Sequence, residues 1–575
     1  MPNKGYQYST ICKYPGTVQR RGRPACLPWF GNRAASGQTR RSAPTLGAGV
    51  FTGRKSVTGL WIALIALLSV AFAASTDRLT ASEKRGKQIY LYGTSSSGQE
   101  ITAIMGASDN DVPGSLMACA NCHGFDGRGK PEGGVIPTNI TWEELTKPYG
   151  GAHASGRRHP AYTELSLARA ITDGVDPAGN SLAAAMPKYR MSREDLADLL
   201  AYLKRLTDDR DPGITETTIK VGTLLPMTGP LAEIGEVAKT IIAGYFNDIN
   251  DGGGIYNRRL ELHVADAPDA SSIGASAKRL VEDEQVFCLA GAFTAGADDD
   301  AFAMMKNAET PLVGPFTLFP RVGSPPNRHV FYLFSGLKEQ ALALVNFLAG
   351  TKRAKRLAFV YQEGRVAADV LEAIEQHCPK AGCSSVAKLR YTRGQFDAGR
   401  TIERLRRENA EAIFLFGFGL EEKTLLKEIE KTGWSPYVIL PGALAGGDIF
   451  DPPASFNGKI FLSFPTLPSD QTEAGLAEYR AFAQKHKLPA KRLAVQLSTY
   501  CAAKLLTHGM KQAGRDISRE KLIGALEGLY EFNTGLTPPI TYNANRRIGA
   551  LGAYVVAVDL EKRSFIPASE WITPR

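Results

Sequence analysis

The residues best suited to chemistry are Cys119, Cys122 and His123, in the run Met117-Ala118-Cys119-Ala120-Asn121-Cys122-His123-Gly124. A Cys-x-x-Cys-His spacing lets each thiol add across one of the two vinyl groups of a haem. The adjacent imidazole is then held where it ligates the iron. A Cys-x-x-Cys pair also serves zinc sites and dithiol redox centres. Zinc would need two more Cys or His ligands close by, and the next histidines are His153 and His159. The spacing therefore points to one covalently attached haem c, held by Cys119 and Cys122, with His123 as an axial ligand.

Helices on either side must hold that run in place. Ser82 to Tyr90 reads as a short amphipathic helix with a polar N-cap region. Ser192-Arg193-Glu194-Asp195 caps a second helix, in which Leu196, Leu199, Leu200, Leu203 and Leu206 recur at helical spacing. A glycine-rich turn, Gly124-Phe125-Asp126-Gly127-Arg128-Gly129, follows the cysteines. Over about residues 78–208 this resembles the class I c-type cytochromes: two crossing terminal helices, haem attached near the first, a distal methionine before the last. The resemblance implies an all-α domain and places the distal iron ligand at Met186, in Ala185-Met186-Pro187-Lys188-Tyr189. Met191 is the competitor, and Met117 is too close to the attachment site. His/Met ligation implies electron transfer, with no open position on the iron. The resemblance also puts the carbonyl of Pro137 where it would accept the His123 Nδ1 proton. His153, His159 and His329 read as surface residues.

The chain has 575 residues, 43% hydrophobic and 22% charged, which suits two or three globular domains. Its formal charge of +10 is concentrated at the amino end, where residues 1–58 carry ten basic side chains and no acidic one. The other 58 Lys and Arg equal the 58 Asp and Glu, so the charge balance gives no ground for a nucleic-acid partner. Residues 1–58 read as a basic disordered leader, and translation starting later, at Val50 or Val57, would explain it. Within residues 59–75, the apolar run Leu60 to Ala74 suits a signal-peptide core better than a membrane span, which needs ~20 apolar residues. Ala71-Phe72-Ala73 supplies a cleavage site, and an uncleaved anchor to the inner membrane is the alternative. Both predict export to the periplasm.

Asp208-Asp209-Arg210-Asp211-Pro212-Gly213 is charged and turn-forming, and a linker is expected over 209–217. From residue 218 to 575 strands alternate with helices. Strands are expected at Thr218–Leu225, Arg259–Ala265, Val286–Ala290, Leu357–Tyr361, Ala412–Phe416 and Tyr437–Leu440, with helices at Ala232–Asn250 and Ser276–Glu284. Such alternation predicts an α/β fold with mainly parallel sheets, and its length predicts two lobes. Expected lobe 1 covers about 218–335 and 468–545, and lobe 2 about 336–467 and 546–575.

Val221-Gly222-Thr223-Leu224-Leu225-Pro226-Met227-Thr228-Gly229-Pro230 and Phe246-Asn247-Asp248-Ile249-Asn250-Asp251-Gly252-Gly253-Gly254-Ile255 carry a second resemblance, with Asp266, Ala290-Gly291, Val360-Tyr361 and Phe416-Gly417 following in order. The ordered set is similar to the periplasmic type I solute-binding proteins of the leucine/isoleucine/valine-binding family, which serve ABC importers. The resemblance implies two Rossmann-like lobes closing on a small solute, with contacts from loops at strand carboxyl ends. By position these are Met227 and Ile234, Thr294 and Ala295, Phe316 and Thr317, and Tyr361. The sequence departs from the family where a hydroxyl residue commonly grips an amino-acid carboxylate. That position is Ala295, with Thr294 beside it, and Asp298-Asp299-Asp300 follows. The aromatic–glycine pair after Tyr361 is replaced by Gln362-Glu363-Gly364-Arg365. An α-amino acid is therefore not the expected solute.

Cys378 and Cys383 are expected to form a local disulfide in an oxidising compartment, while Cys288 and Cys501 read as buried apolar residues. No nucleophile–base pair, phosphate loop or paired-carboxylate site stands out. The expected function is an exported one-haem electron carrier fused to a small-molecule binding module. It would pass electrons between a periplasmic dehydrogenase and another cytochrome or oxidase. The alternative is the receptor of an ABC importer, with a permease as partner and a cytochrome appended.

Overall fold

The computed structural model describes residues 79–106, 110–129, 136–153, 156–294, 296–323, 325–417 and 419–574. The basic leader, the apolar run before residue 75 and Ala295 lie outside these residues. The chain divides into two compact units after Asp209.

In the first unit, helix α1 (Ala81–Tyr92) begins where the Thr80 hydroxyl accepts the Glu83 amide at 3.2 Å and the Glu83 carboxylate accepts the Thr80 amide at 2.7 Å. Strands β1 (Thr102–Met105) and β2 (Asn110–Pro113) precede the motif helix α2 (Cys119–His123). A single turn α3 (Trp142–Leu145), the hairpin β3 (Gly151–Ala152) and β4 (Arg158–His159), helix α4 (Glu164–Asp173), strand β5 (Lys188–Arg190) and helix α5 (Arg193–Arg205) complete it. Helices α1 and α5 cross at Gly86, where a Cβ would sit 2.0 Å from the Asp198 carbonyl oxygen. One turn further on, Tyr90 packs on Tyr202 with ring centroids 5.6 Å apart. Arg85 donates to both oxygens of Asp198, at 2.6 and 2.9 Å, and so ties α1 to α5 beside the crossing.

The helices follow the expected pattern, but the unit is not wholly helical. Strands β2, β1 and β5 form an antiparallel sheet in which Ala103 pairs with both Val112 and Tyr189. Each strand is four residues or fewer, too short for a period of two to register.

In the second unit, six parallel strands make the first lobe in the order β16-β10-β9-β8-β6-β7. They are β6 (Thr218–Leu225), β7 (Arg259–Asp266), β8 (Cys288–Ala290), β9 (Leu312–Val313), β10 (Val330–Phe334) and β16 (Ile548–Ala550). The second lobe has β11 (Arg356–Gln362), β12 (Ser384–Tyr391), β13 (Ala412–Phe416), β14 (Tyr437–Pro441), β15 (Ile460–Phe464), β17 (Tyr554–Asp559) and β18 (Ser564–Pro567), in the order β12-β11-β13-β14-β15-β17-β18. Its first five are parallel and the last two antiparallel. Strands β8 and β13 are wholly apolar, and β6 is buried over most of its length, because helices cover both faces.

The chain crosses between lobes after β10, after β15 and after β16. The third crossing, expected near residue 545, falls beyond Ala550. Arg546 to Ala550 belong to the first lobe, although only Leu551, Gly552 and Ala553 separate β16 from β17. The crossings are bonded to one another. Buried Ser335 donates its hydroxyl to Ala550 O at 3.2 Å and accepts the Gly552 amide at 2.8 Å, while Tyr554 donates to Asp470 at 2.5 Å. Cys378 and Cys383 form a disulfide where the helix Arg365–Ala381 ends, with Cα atoms 4.8 Å apart. Cys288 and Cys501 are free and buried. Among the described residues, no helix is long and apolar enough to cross a membrane.

Candidate functional site

Two buried tyrosines brace the motif helix from opposite ends. Tyr189, on β5, donates its hydroxyl to the carbonyl of Met117 at 2.6 Å. Tyr90, on α1, donates to the carbonyl of Gly124 at 2.6 Å. The five-residue helix between them puts Cys119 and His123 one turn apart on the same side. Its chain then leaves through Gly124 with φ +75°, where a side chain would be strained. Both cysteines are free and half-buried, and His123 is buried.

The His123 Nδ1 lies 2.9 Å from the carbonyl of Thr138. A carbonyl can only accept, so the proton sits on Nδ1 and the lone pair on Nε2. Burial holds the imidazole below its ordinary pKa against the opposing Thr138 bond, and the ring is neutral. Burial pushes the Cys119 thiol up to about 12. The acceptor is thus Thr138 and not Pro137, which sequence position suggested. The Pro137 carbonyl instead faces Gly129, where a Cβ would come within 2.3 Å of its oxygen. A one-residue slip in an extended loop turns the opposite carbonyl toward the ring, and no sequence period fixes that choice.

Met186 and Met191 stand at either end of β5, half-buried against the same core as Met117, Cys119 and Leu182. Two thiols at i and i+3, a neutral imidazole with a fixed tautomer and a soft thioether on one apolar core fit a covalently bound haem c. Such a group supplies one-electron redox chemistry when bound, and the chain's part is to hold and orient its ligands. The bracing by Tyr90 and Tyr189 was not visible in the sequence, because it joins residues 34 and 72 positions apart.

In the second unit the loops after β6, β8 and β9 lie at the carboxyl edge of the first sheet. Asp266 ends β7 and clamps the loop after β6. It accepts the amides of Met227 at 2.8 Å and Thr228 at 3.3 Å, and the Thr228 hydroxyl at 2.7 Å. The Thr228 hydroxyl, helped by the two amides, holds this carboxyl below its usual range. Met227, Ile234, Phe316, Thr317 and Tyr361 are all half-buried. Phe316 stacks on Phe293, centroids 5.6 Å apart and planes 16° apart, an aromatic pair that joins two loops distant in sequence and carries no local signature.

Thr294 does not stand ready to grip a carboxylate. It is fully buried and donates its hydroxyl to Asp298 at 2.6 Å. Asp298 is itself buried, which pushes its carboxyl pKa up. Asp299 and Asp300 are exposed. Arg321 reaches Asp299 of the first lobe at 2.9 Å and Asp369 of the second at 3.2 Å, spanning the two.

Comparison with known proteins agrees with both halves. A family model described as periplasmic binding protein matches residues 218–563, and one described as cytochrome c matches residues 115–207. The chain belongs to the periplasmic binding protein family and carries a cytochrome c domain ahead of the binding domain, which implies covalently bound haem c. It is 22% identical over 298 residues to the Leu/Ile/Val-binding protein homolog 3 of Brucella melitensis, covering 52% of this chain and 79% of that protein. It is 21% identical over 322 residues to the leucine-, isoleucine-, valine-, threonine-, and alanine-binding protein of Pseudomonas aeruginosa, covering 56% and 84%. Among solved structures, the ABC transporter substrate-binding protein from Sphaerobacter thermophilus superposes with a TM-score of 0.50 at 17% identity, covering 62% of this chain and 98% of that one.

Proposed function

We propose that the protein is a periplasmic one-haem electron carrier whose second unit binds a small solute. Electrons would pass between a periplasmic dehydrogenase and a further cytochrome or oxidase, with the solute sensed or docked alongside. The observation that carries this reading is the His123 ring, buried and turned by Thr138 so that Nε2 is left to ligate an iron. Met186 is the proposed opposite ligand. A histidine–methionine pair fills both axial positions and favours electron transfer over chemistry on a bound substrate. Cys119 and Cys122 are the proposed attachment points.

The second reading is a receptor for an ABC importer with the cytochrome appended. The names of the relatives favour it, and a permease would then be the partner. The burial of Thr294 and the acidic residues after it argue against an α-amino acid held as in those proteins. Met227, Ile234, Phe316, Thr317 and Tyr361 are the proposed solute contacts, together with Phe293.

The test is the visible spectrum of the purified exported protein and of Met186→Ala. A low-spin c-type spectrum with a methionine–iron charge-transfer band, lost in Met186→Ala and kept in Met191→Ala, is expected. A high-spin spectrum in the unaltered protein would mean an open iron position and would defeat the carrier reading.

A further inference from the structure

The hairpin β3–β4 of the first unit brings two imidazoles together edge to edge, their planes 32° apart. The Nε2 atoms of His153 and His159 are 2.9 Å apart. Both are half-buried and not the surface residues their sequence context suggests, and the haem site uses neither. The His159 Nδ1 is 2.8 Å from the carbonyl of Pro160, so that nitrogen carries the proton and the His159 Nε2 presents a lone pair. His153 supplies the hydrogen between the rings. Burial, then the charge of Arg157, holds His153 below its ordinary pKa.

The backbone makes room for this pair. A Cβ on Gly151 would lie 2.6 Å from the His159 Nε2 and 3.5 Å from the His153 Nε2. Gly151 has no left-handed φ, so the missing side chain provides space and not conformational freedom. The hairpin is also anchored. Arg157 donates to buried Asp176 at 2.9 Å, and Asn180 donates to the Arg158 carbonyl at 3.0 Å. His159 lines an open cavity of about 600 Å³, with Glu144, Tyr149 and Arg158 on its walls.

We infer that His153 and His159 form a two-imidazole site for a divalent transition metal such as Zn²⁺, Ni²⁺ or Cu²⁺, separate from the haem. Imidazole nitrogens bind such ions at ~2.0–2.1 Å, so two of them at a right angle about one ion stand ~2.9 Å apart, and at a tetrahedral angle ~3.3–3.4 Å apart. The observed separation matches the first geometry in length and the second after a few tenths of an ångström of opening, and the rings, whose centroids stand 5.0 Å apart, turn on binding so that both lone pairs converge on the ion. The bond from His159 Nδ1 to a backbone carbonyl is the outer contact that fixes the tautomer of a metal-bound histidine. The hydrogen on the His153 Nε2 moves through solvent to its Nδ1, leaving both rings neutral and both Nε2 lone pairs on the ion. Water fills the remaining positions, and the Glu144 carboxylate stands in the same cavity.

The test uses the full-length, haem-loaded protein without a histidine tag, titrated with Zn²⁺ by calorimetry and with Cu²⁺ by electron paramagnetic resonance. One ion per chain is expected, with hyperfine splitting from two nitrogens. His159→Ala should weaken binding at least ~10-fold, since even an outer partner of a metal ligand is worth ~10–100-fold. Gly151→Ala should weaken it by forcing the rings apart. An unchanged haem spectrum certifies each variant as folded; if His159→Ala alters it, His153→Gln replaces that variant. No stoichiometric ion, or equal binding with and without the histidines, would reduce the pair to a hydrogen bond and overturn the inference.

Discussion

Replacing Gly86 by alanine sets two effects of opposite sign against each other. Gly86 lies inside α1 with an ordinary helical φ. Propensity alone predicts that alanine stabilises the helix by about 1 kcal/mol. The added methyl, however, would lie 2.0 Å from the carbonyl oxygen of Asp198, 2.6 Å from its carbon and 2.8 Å from the Tyr202 Cβ. Two of these three atoms are backbone, which cannot turn aside as a flexible side chain can. Helices α1 and α5 must part by roughly 1 Å, and a gap of that size forfeits about a quarter to a half of each contact's attraction. Tyr90, Leu199 and Leu203 pack in that layer. Overpacking costs ~1–3 kcal/mol before that loss is added, so a net destabilisation of about 2–3 kcal/mol is expected. The assay is urea unfolding of the haem-loaded full chain, following the haem bands for the first unit and far-ultraviolet dichroism for the second, because two units need not unfold together. At ~1–3 kcal/mol per molar urea, the haem-unit midpoint should fall by roughly 1 M. Gly524→Ala is the control, in the helix Arg519–Glu527 with nothing within 4 Å of the new methyl. It should stabilise the second unit by up to ~1 kcal/mol and so raise its midpoint. A Gly86→Ala protein as stable as the parent would refute the claim that this crossing is set by backbone contact.

Removing the hydroxyl in Tyr189→Phe leaves the Met117 carbonyl without its 2.6 Å donor. It should cost about 1–3 kcal/mol in the same urea assay, with the haem still attached. Asp266 makes its contribution as a carboxylate held below the usual range by Thr228 and the Met227 amide. A depressed folded pKa means that this contribution is fully present above the unfolded value of ~3.9 and is lost as pH falls through the folded one. The melting temperature of the second unit should therefore drop more steeply below about pH 4 in the parent than in Asp266→Asn. Parallel curves would show that the carboxylate does not clamp the loop.

The cytochrome c domain was legible because the chemistry of covalent haem attachment dictates the Cys-x-x-Cys-His spacing, and no fold can loosen it. Long elements were legible for a different reason: Ala412–Phe416 is an apolar run of strand length bounded by turns, and Thr218–Leu225 carries Ile219, Val221, Leu224 and Leu225 between turn-forming segments. What the chain hid were matters of register and contact. Thr138 and Pro137 differ by one residue in a loop with no period. The third lobe crossing was misplaced by a few residues, since only Leu551, Gly552 and Ala553 separate β16 from β17. Thr294 has the chemistry of a ligand contact, and only its burial against Asp298 shows that its hydroxyl is already engaged. His153 and His159, six positions apart, show no kinship until the hairpin turns them together.

The bonds among the three lobe crossings set how the second unit can move. Three separate tethers would leave the lobes free to slide, tilt and twist. Ser335 fastens the first crossing to the third, and Asp470 fastens the second to Tyr554 at the start of β17. The three crossings are thereby joined to one another, so none can shift without breaking a bond to a neighbouring one. Ser335, which holds two of the crossings at once, is therefore the point where a single substitution would loosen the joint between the lobes while leaving both sheets intact.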